Sequence, residues 1–562
     1  MINLKGNPFF LSDEDSAWVE DTLASMSDRE KIGQVFVPLG SNNDGFENED
    51  LLLSKGIGGI LYRCDHEEKI AGKHAYLQSH SRIPLLIAAN LETGGCGTVK
   101  EGTFAARQMQ IAATAQPEQY AHSLGSVCGK EGSAVLCNWS FSPVCDIDFN
   151  WRNPITNVRT YGGNSETVKR CTLAYREGLE KESMICSVKH FPGDGVDEVD
   201  QHILTSINTL NADEWDKTYG AIYASHVDSG VVSVMAGHIA LPSWHEKLGG
   251  DPTEKYMPCT LNPILLKGLL RGILHFNGLI VTDSTCMVGF TAAMSREKAV
   301  PYSIESGCDR FLFNKDLEED YDFMCKGLEN GILSRQRLDE AVTRILAAKA
   351  HLGLHRVQEW KADLTIPGME AHRVIAQNIA DESVTLVKDE HHLLPFTASK
   401  YRRVLLQPFS NNANGKAVCE MMQEGLTHEG FEVSVYRADE DKKGPFDTTS
   451  FKEKYDAVLY LADIENLSNA VTNRLNWVLF GGNGNNVPWF VNDVPTILIS
   501  FANPYHLVDM PMIDTFINCY AGRCETIKSV IACMTGKKPF RGHSPIDPYL
   551  GKEWLKPLNK HI

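Results

Sequence analysis

The run Val188-Lys189-His190-Phe191-Pro192-Gly193-Asp194-Gly195-Val196-Asp197-Glu198-Val199-Asp200-Gln201-His202 carries the densest set of chemically useful side chains in the chain. A carboxylate two residues from an imidazole, as Asp200 is from His202, can orient the ring and compensate its charge while it carries a proton. Such a group can donate a proton in one step and take one back in the next. An acidic surface loop would have the same composition. A second candidate is Asp283, which ends the apolar run 278–282. A carboxylate emerging from a buried strand is held rigidly and can attack an electrophilic carbon; its plainer role would be to cap the helix that follows.

The elements that must position these groups come from apolar runs suited to buried parallel strands, at 34–37, 59–61, 85–89, 139–144, 185–188, 231–236, 279–282 and 310–313. Amphipathic stretches such as 211–229, 262–274 and 295–306 lie between them. Alternating β and α segments imply a parallel sheet with right-handed crossovers, and eight units suggest a (β/α)8 TIM-like barrel. A doubly wound open sheet would give the same alternation. The helical spacing of Leu338, Ala341, Val342, Ile345, Leu346 and Ala348, ending near Gly353, predicts a barrel-closing helix. We therefore expect a barrel over 1–355, a polar linker over 356–369 and an α/β sandwich domain over 370–562, with strands at 383–387, 404–406, 457–461 and 496–500.

In a barrel, the site lies just past the C-terminal ends of the strands. Asn90 and Glu92 follow the third strand, Arg159 the fourth, His238 the sixth, and Asp283 and Met287 the seventh, while Lys189 and His190 follow the fifth. Five strands thus converge on one mouth. Asn90 or Glu92 could bind hydroxyls, and the planar fork of Arg159 could hold two oxygens at once. His238 reads more simply as a satisfied strand-end histidine.

Bulk properties narrow the partners. The chain has 562 residues, 43% of them hydrophobic, and a formal net charge of −18. That charge repels phosphate backbones and anionic lipid, so nucleic acid and membrane are poor partners and a small neutral substrate fits better. No basic, apolar leader opens the sequence and no run of about 18 apolar residues occurs, which predicts a cytoplasmic protein. The 15 cysteines show no CxxC pairing and read as reduced thiols, with neither a disulfide frame nor a zinc site indicated. A homodimer is compatible with these features and not required by them.

The 188–202 run resembles the signature K-H-F-P-G-H-G-D-T-x-x-D-S-H of N-acetylglucosaminidases in glycoside hydrolase family 3, matched in length without gaps. The run 278–287 is similar to the family's G-x-V-x-[TS]-D-x-x-x-M. Phe141-Ser142-Pro143-Val144-Cys145-Asp146 and the segment 153–162 resemble F-x-P-V-x-D and N-P-x-I-x-x-R-S-F-G, and residues 89–95 are a loose relative of V-D-Q-E-G-G-R. The resemblance implies a retaining β-N-acetylhexosaminidase that needs no cofactor or metal. Asp283 would be the nucleophile and Asp200/His202 the acid/base dyad. Lys189, His190 and Arg159 would be sugar ligands, joined by Asn90, Glu92, Met287 and His238 around the mouth. The sequence departs from the pattern at Asp194, Val196 and Asp197, and has Asn90 for the usual Asp. Three rivals stay open: a phosphorylase that uses phosphate in place of water, a β-glucosidase, and an inactive sugar-binding homologue.

Overall fold

The computed structural model describes residues 2–357, 359–437, 444–478 and 486–556. Its contacts divide the chain into two units. The first comprises Met1–Ala105, Glu118–Thr156 and Asn164–Arg373; the second comprises Ala106–Pro117, Asn157–Gly163 and Val374–Ile562. Two excursions from the first half of the sequence thus pack within the second unit.

Eight strands of the first unit pair into one ring, apart from a separate parallel pair formed by Ser206–Ile207 and Ile239–Ala240: β1 Phe36–Val37, β2 Gly59–Leu61, β3 Leu86–Ala89, β4 Trp139–Ser140, β5 Ile185–Phe191, β6 Ser233–Ala236, β7 Leu279–Thr282 and β8 Phe311–Leu312. From β2 to β7 they lie side by side in chain order, all parallel, and β1 pairs with β8. Isolated bridges Leu39–Leu61 and Val281–Arg310 join that pair to β2 and to β7. The ring therefore closes as a barrel, and the open-sheet alternative is excluded. Its interior is filled, with the Trp139 and Arg310 side chains fully buried and the Arg310 guanidinium 5.5 Å from the Trp139 ring centroid.

Three differences from the expected strands have local causes. Helix Asp28–Val35 is started by a reciprocal capping box between Ser27 and Glu30 and runs to Val35, which leaves only Phe36 and Val37 for β1. The expected strand 139–144 keeps a ladder only over Trp139 and Ser140, because Pro143 has no N–H to contribute. Conversely, β5 runs past the apolar stretch to Phe191. Its register against β6 shifts between Val188 and Phe191, a bulge of the kind that re-aims side chains beside active sites.

Among the helices, Arg335–His351 forms as expected, capped by Ser334, and the chain leaves it through Gly353 at a φ of 67°. The stretch expected as an α-helix over 262–274 is instead wound as a π-helix over Ile264–Ile273.

The second unit is built on a six-stranded sheet of β9 Thr385–Asp389, β10 Arg403–Ser410, β11 Glu432–Val435, β12 Ala457–Asp463, β13 Thr496–Ser500 and β14 Thr515–Asn518. Their order is β9-β14-β13-β12-β10-β11, and only β9 runs antiparallel. Period-2 alternation sends Leu406, Leu459, Ile497 and Ile517 into one core and Leu405, Val458, Leu498 and Phe516 into another. Apolar cores on both faces make this unit an α/β sandwich. Among the described residues no helix is long and apolar enough to cross a membrane, and no cysteine forms a disulfide.

Candidate active site

Asp283 leaves β7 with its N–H donated to the Ala236 carbonyl of β6 at 2.8 Å. Its Oδ1 accepts the Ser284 N–H at 2.7 Å. The next helix, Val288–Thr291, has Met287 at its N-cap, so Asp283 is not serving as the cap. Its side chain is 15% exposed, enough to be reached. Burial pushes this carboxyl up, but the imidazoles of His190, His238 and His202 and the Ser284 N–H outweigh burial and hold it below its ordinary value. An anion is what a nucleophile at this position must be.

His190 stands beside it, with Nε2 3.9 Å from Asp283 Oδ2. The other ring nitrogen, Nδ1, lies 2.6 Å from Asp146 Oδ2, and the His190 N–H donates to Asp146 Oδ1 at 3.1 Å. Asp146 is fully buried. Two contacts from one carboxylate fix both the backbone and the ring of His190, as an outer carboxylate fixes a working histidine. The neighbouring Lys189 ammonium meets Glu92 Oε1 at 2.7 Å. The β5 extension and its bulge thus carry Lys189 and His190 on the strand itself, where the sequence put them just beyond it.

Asp200 and His202 lie together. Asp200 Oδ1 accepts the His202 backbone N–H at 2.8 Å and lies 2.7 Å from His202 Nδ1. The Asp200 side chain is fully enclosed, whereas that of His202 is 26% exposed, so only the imidazole meets incoming molecules. Nδ1 of His202 is thus committed to Asp200. The loop is fastened to the segment that follows Asp283: Val288 N–H donates to the His202 carbonyl at 3.0 Å and Gly289 N–H to the Gln201 carbonyl at 3.2 Å.

Other expected site residues take different places. His238 is fully buried, with Nδ1 2.9 Å from Thr260 Oγ1 and Nε2 2.9 Å from the Ser284 carbonyl. Both nitrogens are occupied by protein, so it braces the Asp283–Ser284 turn and is not a sugar ligand. Burial pushes its pKa down, which favours the neutral ring that this donor–acceptor pairing needs. Met287 is buried, and Asn90 is exposed directly after β3. Arg159 ends the short turn Asn157–Arg159, which belongs to the second unit, where Asn157 Nδ2 donates to Asn503 Oδ1 at 3.4 Å. Asp146 and Gln201 were not singled out in the sequence. The signal for Gln201 was its departure from the Ser in D-S-H; for Asp146 it was the final Asp of F-x-P-V-x-D. Among the described residues, no group of three or more His, Cys, Asp or Glu is arranged to hold a metal ion.

A closed barrel with a partly enclosed Asp at one strand end, and an Asp/His pair fastened to the segment that follows it, is the arrangement a glycosidase site would use. The model of the glycosyl hydrolase family 3 N-terminal domain matches residues 27–348, and the chain belongs to this family. A beta-N-acetylglucosaminidase/beta-glucosidase of Cellulomonas fimi is 41% identical over 98% of this chain and 99% of its own length. Among solved structures, a beta-glucoside phosphorylase, BglX, bound to 2FGlc is 40% identical, with a TM-score of 0.93 over 98% of this chain and 99% of its own. A family 3 beta-N-acetylglucosaminidase from a Paenibacillus species has the same fold at 21% identity, with a TM-score of 0.75 over 93% of this chain and 99% of its own.

Proposed function

We propose that this glycosidase releases terminal β-N-acetylglucosaminyl residues with retention of configuration, through a covalent glycosyl-enzyme on Asp283. The sugar lies with its hydroxyls toward Lys189 and His190. The His202 imidazolium gives its Nε2 proton to the glycosidic oxygen while Asp283 Oδ2 bonds to the anomeric carbon and the aglycone leaves. The now neutral ring takes a proton from water, whose oxygen displaces Asp283 from the same carbon. Two inversions restore the β configuration. Asp200 orients and compensates His202 as a triad carboxylate does its histidine.

The observation that carries this reading is the fastening of the Asp200–His202 loop to the segment following Asp283, together with the influence of His202 on the Asp283 carboxyl. The experiment is turnover of aryl β-N-acetylglucosaminide and aryl β-glucoside side by side, with the anomer of the first product read by NMR. A first-formed β-sugar from the N-acetylglucosaminide supports the reading; an α-sugar contradicts it. Faster turnover of the glucoside would move the sugar preference to β-glucosides, which the name of the Cellulomonas relative also includes.

A second reading concerns the acceptor. After the first step the acid/base is a neutral imidazole, where a carboxylate would be an anion. Two like unit charges about 4 Å apart at an effective dielectric of about 20 repel by about 4 kcal/mol, so a histidine removes a barrier of that order to an anionic nucleophile. The name of the 40%-identical structure points the same way. Phosphate would then displace Asp283 and release the sugar 1-phosphate. Assaying the first product with and without inorganic phosphate separates the two acceptors.

A further inference from the structure

Asp194 stands where the signature has its second His, and Gln201 where it has Ser. The structure joins these two departures. Gln201 is buried, and its Oε1 accepts the His238 backbone N–H at 2.8 Å. A backbone N–H cannot accept, so the amide is locked with Nε2 outward, donating to Asp194 Oδ2 at 3.3 Å. On the other side, Asn153 Oδ1 accepts the N–H groups of Ile155 and Thr156 at 2.8 and 2.9 Å, which turns its Nδ2 to Asp194 Oδ1 at 3.0 Å. Gly195 N–H donates to the same oxygen at 2.7 Å. Three donors, each with its direction fixed from behind, require Asp194 to act only as an acceptor.

Gln201 is the residue between Asp200 and His202. The loop is held from outside by the two backbone bonds from Val288 and Gly289. From inside it is held by the Gln201 amide on Asp194. We propose that Asp194 is a positioning residue for the acid/base: its carboxylate anchors Gln201, and through it the loop on which Asp200 and His202 sit. The proposal rests on the role given above to His202.

The surroundings of Asp194 suit an anchor that matters near neutral pH. Facing it are Asp146, whose Oδ1 accepts the Asp194 backbone N–H at 2.8 Å, the His190 ring on the far side of Asp146, and Tyr219, whose hydroxyl donates to the Asp194 carbonyl. Asp148 lies near Tyr219. Burial, and then the charge of Asp146, push the Asp194 carboxyl up to about 7, against the opposing pull of His190 and its hydrogen bonds. A proton taken up there competes with Gln201 for Oδ2. As pH falls through about 7, the anchor weakens.

The test uses the full-length protein as wild type, Asp194→Asn, and the double variant Asp194→Asn with Gln201→Glu. In the single variant an NH2 group faces the Gln201 NH2. In the double variant an acceptor faces it again, and the His238 N–H keeps its own acceptor. Each enzyme is assayed on a phenyl glycoside, whose leaving group needs a proton, and on a 2,4-dinitrophenyl glycoside, whose leaving group does not. Asp194→Asn is expected to lose about tenfold or more in kcat/KM on the first substrate and under about threefold on the second, within the range of general-acid contributions. The double variant is expected to regain most of the difference, and Asp194→Asn to lose the acid limb of the pH profile near 7. The ratio between substrates does not depend on how much protein is folded. Equal losses on both substrates, no loss, or no recovery in the double variant would overturn the proposal. Failure of the wild type on both substrates would instead reject the function on which it rests.

Discussion

Nε2 of His190 lies 3.9 Å from Oδ2 of Asp283, while Nδ1 of the same ring is held by Asp146 at 2.6 Å. His190 thus stands between the fully buried Asp146 carboxylate and the Asp283 carboxylate proposed to attack the sugar. Asp146→Asn keeps the volume but puts an NH2 donor in place of one acceptor oxygen, so His190 Nδ1 loses its acceptor and the ring its tautomer. By analogy with removing the carboxylate behind a catalytic histidine, kcat/KM is expected to fall by about 10²- to 10⁴-fold. Steady-state kinetics on an aryl glycoside check this, and wild-type values would show that the ring needs no such brace.

The split between proton-requiring and proton-free leaving groups also bears on His202. His202→Ala should slow the phenyl glycoside by about 10²- to 10⁴-fold, and the dinitrophenyl glycoside far less. Equal slowing of both would mean that His202 acts by some means other than proton donation.

Lys189 and Glu92 form an ion pair at 2.7 Å with side chains only 4% and 16% exposed. Removing one partner leaves the other charge buried. Glu92→Ala should therefore cost about 3 kcal/mol of stability, read as a lower denaturation midpoint with an unchanged slope. Lys189→Ala should raise KM more than it lowers kcat, as loss of a ground-state sugar contact does. An unchanged KM would remove Lys189 from the binding site.

A carboxyl held up at about 7, as that of Asp194 is, favours folding while it is protonated. That contribution is full below the unfolded-state value near 4 and is lost as pH rises through about 7. Asp194→Asn should therefore melt higher than wild type at pH 8, with the gap closing toward pH 5. Calorimetry at both values decides the matter; a lower melting temperature at pH 8 would mean that the lost hydrogen bonds outweigh the relieved charge.

Much of this site could be read in the sequence because its chemistry is local in the chain. Asp200 and His202 are two residues apart, and Asp283 directly ends an apolar run, so strand pattern and residue type mark them as candidates, while the resemblance to family 3 supplies their expected roles. The brace from Asp146 to His190 spans 44 positions, and no periodicity links them. The strand-end position of His238 reads most simply as that of a satisfied histidine, and both its nitrogens are hydrogen-bonded inside the protein. The barrel was countable from eight apolar runs, but its closure depends on two isolated bridges. In the second unit, β11 was missed because its burial alternates only between partial and none, as on a sheet edge, and β14 is a short Thr-Phe-Ile-Asn with no apolar run. The excursions at 106–117 and 157–163 carry Arg159 into the second unit, which no single-boundary reading of the sequence could show.

Asp283 as the covalent nucleophile is most directly tested by incubating the enzyme with a 2-acetamido-2-deoxy-5-fluoro-glycosyl trap and sequencing the peptic fragments by mass spectrometry. The fragment containing Asp283 should gain one glycosyl mass, localised to that side chain and absent from Asp283→Ala. A label on another residue, or turnover of the trap by an enzyme that never carries it, would contradict the double displacement.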